Sequence, residues 1–100
     1  MNAARARNGD TALQIAVRTG NLQIVDALLE GNPDLEVRDQ FNQTPLMNAA
    51  REGHTRIVVH LLNKGAKINA ADSNGKTALF KALVGNHRAV VQVLKAGGAR

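Results

Sequence analysis

Residues 43–69 read QTPLMNAAREGHTRIVVHLLNKGAKIN, and this stretch decides how the chain folds. Thr44 is a good helix N-cap, since its hydroxyl can accept from a first-turn N–H that has no other partner. Pro45 suits the first helical position, where a missing N–H costs nothing. Leu46, Ala49 and Ala50 then recur at helical spacing. Gly53 ends that helix in the left-handed conformation glycine tolerates. A second helix starts near Thr55 and puts Ile57, Val58, Leu61 and Leu62 on one face, and Gly65 stops it. Ala66 to Asn74 is extended, with alternation around Ile68 and a turn at Asn74-Gly75.

The unit repeats in both directions. Asp10-Thr11-Ala12-Leu13, Gln43-Thr44-Pro45-Leu46 and Lys76-Thr77-Ala78-Leu79 place their threonines 33 residues apart. Ala16, Ala49 and Ala82 keep that spacing, as do Val25, Val58 and Val91, and Leu28, Leu61 and Leu94. Columns of one residue type over three copies without an insertion are the mark of a repeat array. Substitutions respect the geometry: Asn86 stands where Gly20 and Gly53 stand, and Asn32 where Gly65 and Gly98 stand. Asparagine is the residue that best replaces glycine at positive φ. The spacing predicts helices near 12–19, 22–30, 45–52, 55–63, 78–85 and 88–95.

One copy could not bury its own apolar sides, so the copies must stack. The expected core is Leu13, Ile24, Val25, Leu28, Leu29, Leu46, Ile57, Val58, Leu61, Leu62, Leu79, Val90, Val91 and Leu94. Lys95 stands where Leu29 and Leu62 stand, as the wet outer face of a terminal repeat requires, so repeat three reads as a C-terminal cap. Ile15 and Val17 leave the first helix apolar, so the N-terminal side reads as uncapped.

Composition agrees with a small soluble domain of 100 residues. Hydrophobic content is 44% and charge 21%, neither suggesting disorder. No apolar run approaches the roughly 18 residues of a membrane span. Residues 1–7 lack the apolar stretch of a signal peptide, so the default compartment is the cytoplasm. With no cysteine there is neither a disulfide framework nor a thiolate metal site. Phe41 and Phe80 are the only aromatics, too few for a reader that stacks bases. Charge is uneven: residues 1–40 hold four Arg against six acids, whereas residues 74–100 hold five cations and no acid. Such asymmetry can steer association with an acidic partner.

With these motifs on the page, the sequence resembles the ankyrin repeat family. The middle copy carries the likeness in Asp39, Thr44-Pro45-Leu46, Ala49-Ala50, Gly53-His54, Ile57-Val58, Leu61-Leu62, Gly65-Ala66 and Ile68-Asn69. The resemblance covers about residues 8–100. It implies an all-α fold, an ankyrin-repeat solenoid of helix-turn-helix units joined by β-hairpin-like loops. A single domain, 1–100, would hold repeats at about 8–41, 42–74 and 75–100, with 1–7 the trailing loop of a preceding copy. The histidine of the family's T-P-L-H is replaced by Gln14, Met47 and Phe80, which predicts looser loops. His54 and His87 follow the inter-helix turn, where the resemblance implies a loop-supporting hydrogen bond.

The resemblance also implies a function. Ankyrin repeats bind proteins through a concave face of loop tips and first helices. Carried over position by position, the partner-binding candidates are Arg5, Arg7, Asn8, Asp10, Arg18 and Thr19 in repeat one. Repeat two offers Arg38, Gln40, Phe41, Gln43, Arg51 and Glu52, and repeat three offers Ser73, Asn74, Lys76, Lys81 and Val84. Arg18 and Arg51 share a column, as do Arg5 and Arg38, so a basic ladder could cross the groove. The plainer reading is solubility, with pairing to Asp39 and Glu52. Phe41 either folds onto the neighbouring loop or stands out as an anchor.

Nothing in the chain supports catalysis, a cofactor or a metal. Ser73 is the only serine, so no Ser-His-Asp arrangement arises. His60 lies six residues beyond His54 and points elsewhere, which argues against a metal pair. Gly97-Gly98 lacks the lysine and Ser/Thr of a phosphate loop. Asn42-Gln43-Thr44 matches a glycosylation sequon, but Pro45 follows and Thr44 is needed as a cap. The expected partner is another protein, an acidic one suiting the charge, with no membrane and no nucleic acid. The chain is expected to be a monomer or to self-associate weakly through its N-terminal side. The rival reading is polyanion or nucleic-acid binding by the basic C-terminal third.

Overall fold

A computed structural model describes residues 11–99, and six helices account for most of them. In chain order they are α1 (Ala12–Thr19), α2 (Leu22–Leu29), α3 (Pro45–Glu52), α4 (Thr55–Asn63), α5 (Ala78–Val84) and α6 (Arg88–Ala96). Each agrees with the predicted span to within one residue. Among the described residues there is no strand; Ala71 and Thr77 form an isolated antiparallel bridge.

The ends form as their sequences dictate. Thr44 Oγ1 accepts from the Met47 N–H at 3.2 Å. Thr11 makes a reciprocal box with Gln14: the Gln14 N–H donates to Thr11 Oγ1 at 3.3 Å, and the Thr11 N–H to Gln14 Oε1 at 2.6 Å. Gly20 and Gly53 turn α1 into α2 and α3 into α4 at φ +79° and +77°. Asn86 makes the same turn at φ +59°, and Asn32 stands in for glycine after α2 at φ +53°. Both asparagines therefore do what their column predicts.

First helices pack on first helices and second on second: α1 meets α3, α3 meets α5, α2 meets α4 and α4 meets α6. Ala16, Ala49 and Ala82 are buried in all three repeats, and their small side chains let the helices of a pair approach closely. Three expectations about the ends need correction. Ile24 is 49% exposed and Leu28 half-buried, whereas Ile57, Val90, Leu61 and Leu94 in the same columns are buried. Repeat three is only half a cap. Lys95 is exposed as a cap requires, but Phe80 is 42% and Leu83 54% exposed beside it. Val17 is fully buried against the stack rather than part of an apolar outer face.

Candidate functional site

The two loops between repeats are built on the same knot. Asp39 and Asp72 lie 33 residues apart, and each organises the tip that follows it. Asp39 Oδ1 accepts from the backbone N–H of Phe41 at 2.9 Å and of Gln43 at 3.0 Å. Asp72 Oδ1 accepts likewise from Asn74 at 2.9 Å and Lys76 at 3.0 Å. Aspartate suits this job because its short carboxylate reaches the backbone two residues on. The other oxygen ties the tip to the next first helix, nine residues later. Asn48 Nδ2 donates to Asp39 Oδ2 at 3.2 Å, and Lys81 Nζ to Asp72 Oδ2 at 2.8 Å.

The Asp72 side chain is 6% exposed. The Lys81 ammonium foremost, then the Lys76 N–H and the Gln43 amide, hold its carboxyl well below the ordinary carboxylate range. Burial opposes this and loses.

The tips are also tied to one another. Arg38 Nη1 donates to the Asn42 carbonyl at 3.0 Å and to the Ala71 carbonyl at 2.8 Å. Asn42 sits at φ +61° and donates from Nδ2 to Ser73 Oγ at 2.9 Å. Gln43 Nε2 bridges the Phe41 carbonyl, at 3.2 Å, and Asp72 Oδ2, at 3.1 Å. Nearer the second helices, the Lys67 N–H donates to Glu36 Oε2 at 2.9 Å. Hydrogen bonds from side chains thus fix the two fingers where no sheet does.

Against this fixed frame Phe41 stands at the first tip, 68% exposed, rather than folding onto its neighbour. Gln40, Ser73 and Asn74 are exposed on the same tips. Arg51 and Glu52 are exposed at the end of α3, with Arg51 Nε 3.4 Å from Glu52 Oε2. Thr19 ends α1 and donates its hydroxyl to the Ala16 carbonyl at 3.1 Å. Arg18 is half-buried at its column, and Val84 is 70% exposed at the end of α5.

Several predicted contact residues spend their polar ends on neighbours within the chain. Gln43 is buried because it bridges the two tips. Lys81 is spent on Asp72, its side chain 14% exposed. Arg38 is half-buried and turned into loop carbonyls, so it supplies no rung of a basic ladder. Lys76 lies 4.5 Å from the centroid of the Phe80 ring, a cation–π contact. Arg5, Arg7, Asn8 and Asp10 lie outside the described residues. Residue-by-residue reading missed the organisers Asp39, Asn42, Asn48 and Asp72. The signal was present: the two aspartates share a register, and each precedes a tip residue's N–H by two positions.

Behind the tips, the turns between paired helices interlock. His54 Nε2–H donates to the Arg18 carbonyl at 3.4 Å, and His87 Nε2–H to the Arg51 carbonyl at 2.8 Å. Each histidine therefore supports the helix end of the repeat before it. Farther back, His60 on α4 meets the Asp26 carboxylate on α2. No group of three or more His, Asp or Glu among the described residues is placed to hold a metal ion. None of their helices is long and apolar enough to cross a membrane.

A family model described as ankyrin repeats (3 copies) matches residues 31–100, and one described as ankyrin repeat matches residues 8–40. No curated protein matches the chain.

Proposed function

Because the chain belongs to the ankyrin repeat family, whose members are generally protein–protein interaction modules, we propose that it binds another protein through its loop tips and first helices. In this reading it is one non-enzymatic domain of three repeats, about 8–41, 42–74 and 75–100. The observation that carries it is Phe41. An aromatic 68% exposed offers a large apolar area, and the loop holding it is pinned by Asp39, Arg38 and Asn42. A rigid exposed aromatic loses little entropy on binding, which is what makes such side chains effective anchors. Arg51, on the same side of repeat two, adds a half-exposed guanidinium for a carboxylate on the partner.

Polyanion binding by the C-terminal third has less to draw on. Lys81 is committed to Asp72 and Lys76 to the Phe80 ring, which leaves Arg88 and Lys95 among the described cations there.

The test compares two double variants against the partner captured from cell extract, by calorimetric titration. Phe41→Ala with Arg51→Ala should weaken binding about thirtyfold or more. Arg88→Ala with Lys95→Ala, on α6, should change it little. If the α6 pair weakens binding more than the Phe41 pair, the loop-tip reading fails and the polyanion reading replaces it. Melting temperatures should stay close to wild type for both, since all four side chains are exposed.

A further inference from the structure

The second loop tip carries a pair of residues with chemistry of its own. The sequence holds two Asn-Gly pairs, Asn8-Gly9 and Asn74-Gly75, and the first lies outside the described residues. Glycine is the one neighbour without a Cβ, so its backbone nitrogen can swing onto the side-chain carbonyl of the asparagine before it. Asn74 is exposed at the end of the finger, and its side-chain amide makes no hydrogen bond among the described residues. Gly75 is exposed too, at φ +77°, and a Cβ built on it would meet nothing within 4 Å. Side chain and nitrogen are therefore uncrowded.

What restrains them is Asp72. The N–H groups of three successive residues donate to it: Asn74 and Lys76 to its carboxylate at 2.9 and 3.0 Å, and Gly75 to its backbone carbonyl at 3.0 Å. The Asp72 N–H in turn donates to the Lys76 carbonyl at 2.9 Å. Lys81 and Gln43 hold the other carboxylate oxygen. A nitrogen whose proton is engaged in this way reacts only after the tip opens, as in amide exchange. Tip one has the same knot without the reactive pair. Phe41-Asn42 stands where Asn74-Gly75 stands, the Asn42 side chain donates to Ser73, and the Gln43 N–H is held by Asp39.

We propose that Asn74 is a self-modification site, deamidated through a cyclic imide when the Asp72 knot opens. The Gly75 nitrogen gives its proton to solvent base and attacks Asn74 Cγ. The bond from Cγ to the side-chain nitrogen then breaks, and ammonia leaves. Water opens the imide at either carbonyl, which yields aspartate or, with the main chain rerouted through Cγ, isoaspartate. Either product puts a second carboxylate two residues from Asp72. Isoaspartate also lengthens the main chain by one methylene between the N–H groups of residues 74 and 75. Those N–H groups can then no longer all reach Asp72, so the step opens the tip irreversibly. It consumes only water, and it stands whether or not the tips bind a partner.

Incubation of the folded chain at mildly alkaline pH, with tryptic mapping over time, tests this. Trypsin separates residues 68–76 from 8–18 and 39–51. Electron-transfer fragmentation then assigns the site and distinguishes isoaspartate from aspartate. Acid should build up at residue 74 and not at residue 42, and more slowly than in the free peptide 68–76. Lys81→Ala, which loosens the knot, should speed the step about tenfold, and the milder Gln43→Ala should speed it less. Circular dichroism checks that both variants fold. In the aged wild type, amide exchange at residues 74–76 should quicken while α3 keeps its protection. An Asn74 that stays an amide while the free peptide converts overturns the proposal. So does conversion at one rate in wild type, both variants and the free peptide, which would mean that the knot restrains nothing.

Discussion

The ring of His87 lies directly over Gly53: a Cβ built on that glycine would stand 2.6 Å from His87 Nδ1. Gly20 and His54 repeat the relationship one copy earlier, at 2.7 Å to the ring's Cε1. A histidine in each later repeat thus occupies the space that a side chain on the previous turn would need, and bonds the carbonyl two residues before that turn. Repeat-to-repeat spacing on this side is set by the absence of one methyl group.

Replacing Gly53 with alanine should therefore cost about 2–4 kcal/mol. Part is the left-handed backbone at φ +77°, about 1–2 kcal/mol for a residue with a Cβ. The rest comes from swinging the His87 ring away and losing its 2.8 Å bond to the Arg51 carbonyl. Gly65 is the control. It has φ +100° with nothing within 4 Å of a built Cβ, so Gly65→Ala should show backbone strain alone, about 1–2 kcal/mol. Denaturant melts of both variants measure the difference, and equal losses would mean that the histidine does not hold the turn.

Leu61→Ala should destabilise the chain by about 2–5 kcal/mol, since it opens a cavity in the middle repeat. Leu61 is fully buried on α4, between α2 and α6. In a stack this short, that loss is large enough to unfold all three repeats together. A loss under about 1 kcal/mol would place Leu61 outside the core.

The Asp72–Lys81 pair predicts a pH dependence of definite sign. Asp72 titrates below its ordinary value of 3.8 in the folded chain, so its carboxylate stabilises the fold above that value. That stability is lost as the pH falls from 3.8 through the lower folded value. Asp72→Asn should thus be less stable than wild type at neutral pH, and the gap should narrow once the pH drops below 3.8. Stability curves from neutral pH into acid read it, and a gap that stays constant or widens in acid contradicts the pairing.

The helices were legible because repetition multiplies each local signal. Thr44, Pro45 and Gly53 mark one helix, and the 33-residue register carries the marks to copies where the residues are weaker, as at Asn86. Burial was legible by column but not by end. Ile24 looks identical in kind to Ile57, yet it is 49% exposed where Ile57 is 2%. The site was legible as a surface, with Phe41 and Arg51 where the register puts them, but not as a network. Gln43 and Lys81 look like polar surface residues, yet both spend their polar ends on Asp72, a contact between residues 29 and 9 positions apart. Arg38 reaches across 33 positions to Ala71. Pattern reading assigns a residue to a face and says nothing about which neighbour claims its hydrogen bonds.

Amide hydrogen exchange on the chain with and without its captured protein partner tests the central claim most directly. If the loop tips bind the partner, protection should rise at residues 39–43 and 72–76 and around Arg51, including the Phe41 and Gln43 amides that Asp39 already holds. The α6 segment should exchange at its free-state rate. Protection confined to residues 88–96, with the tips unchanged, would contradict the account.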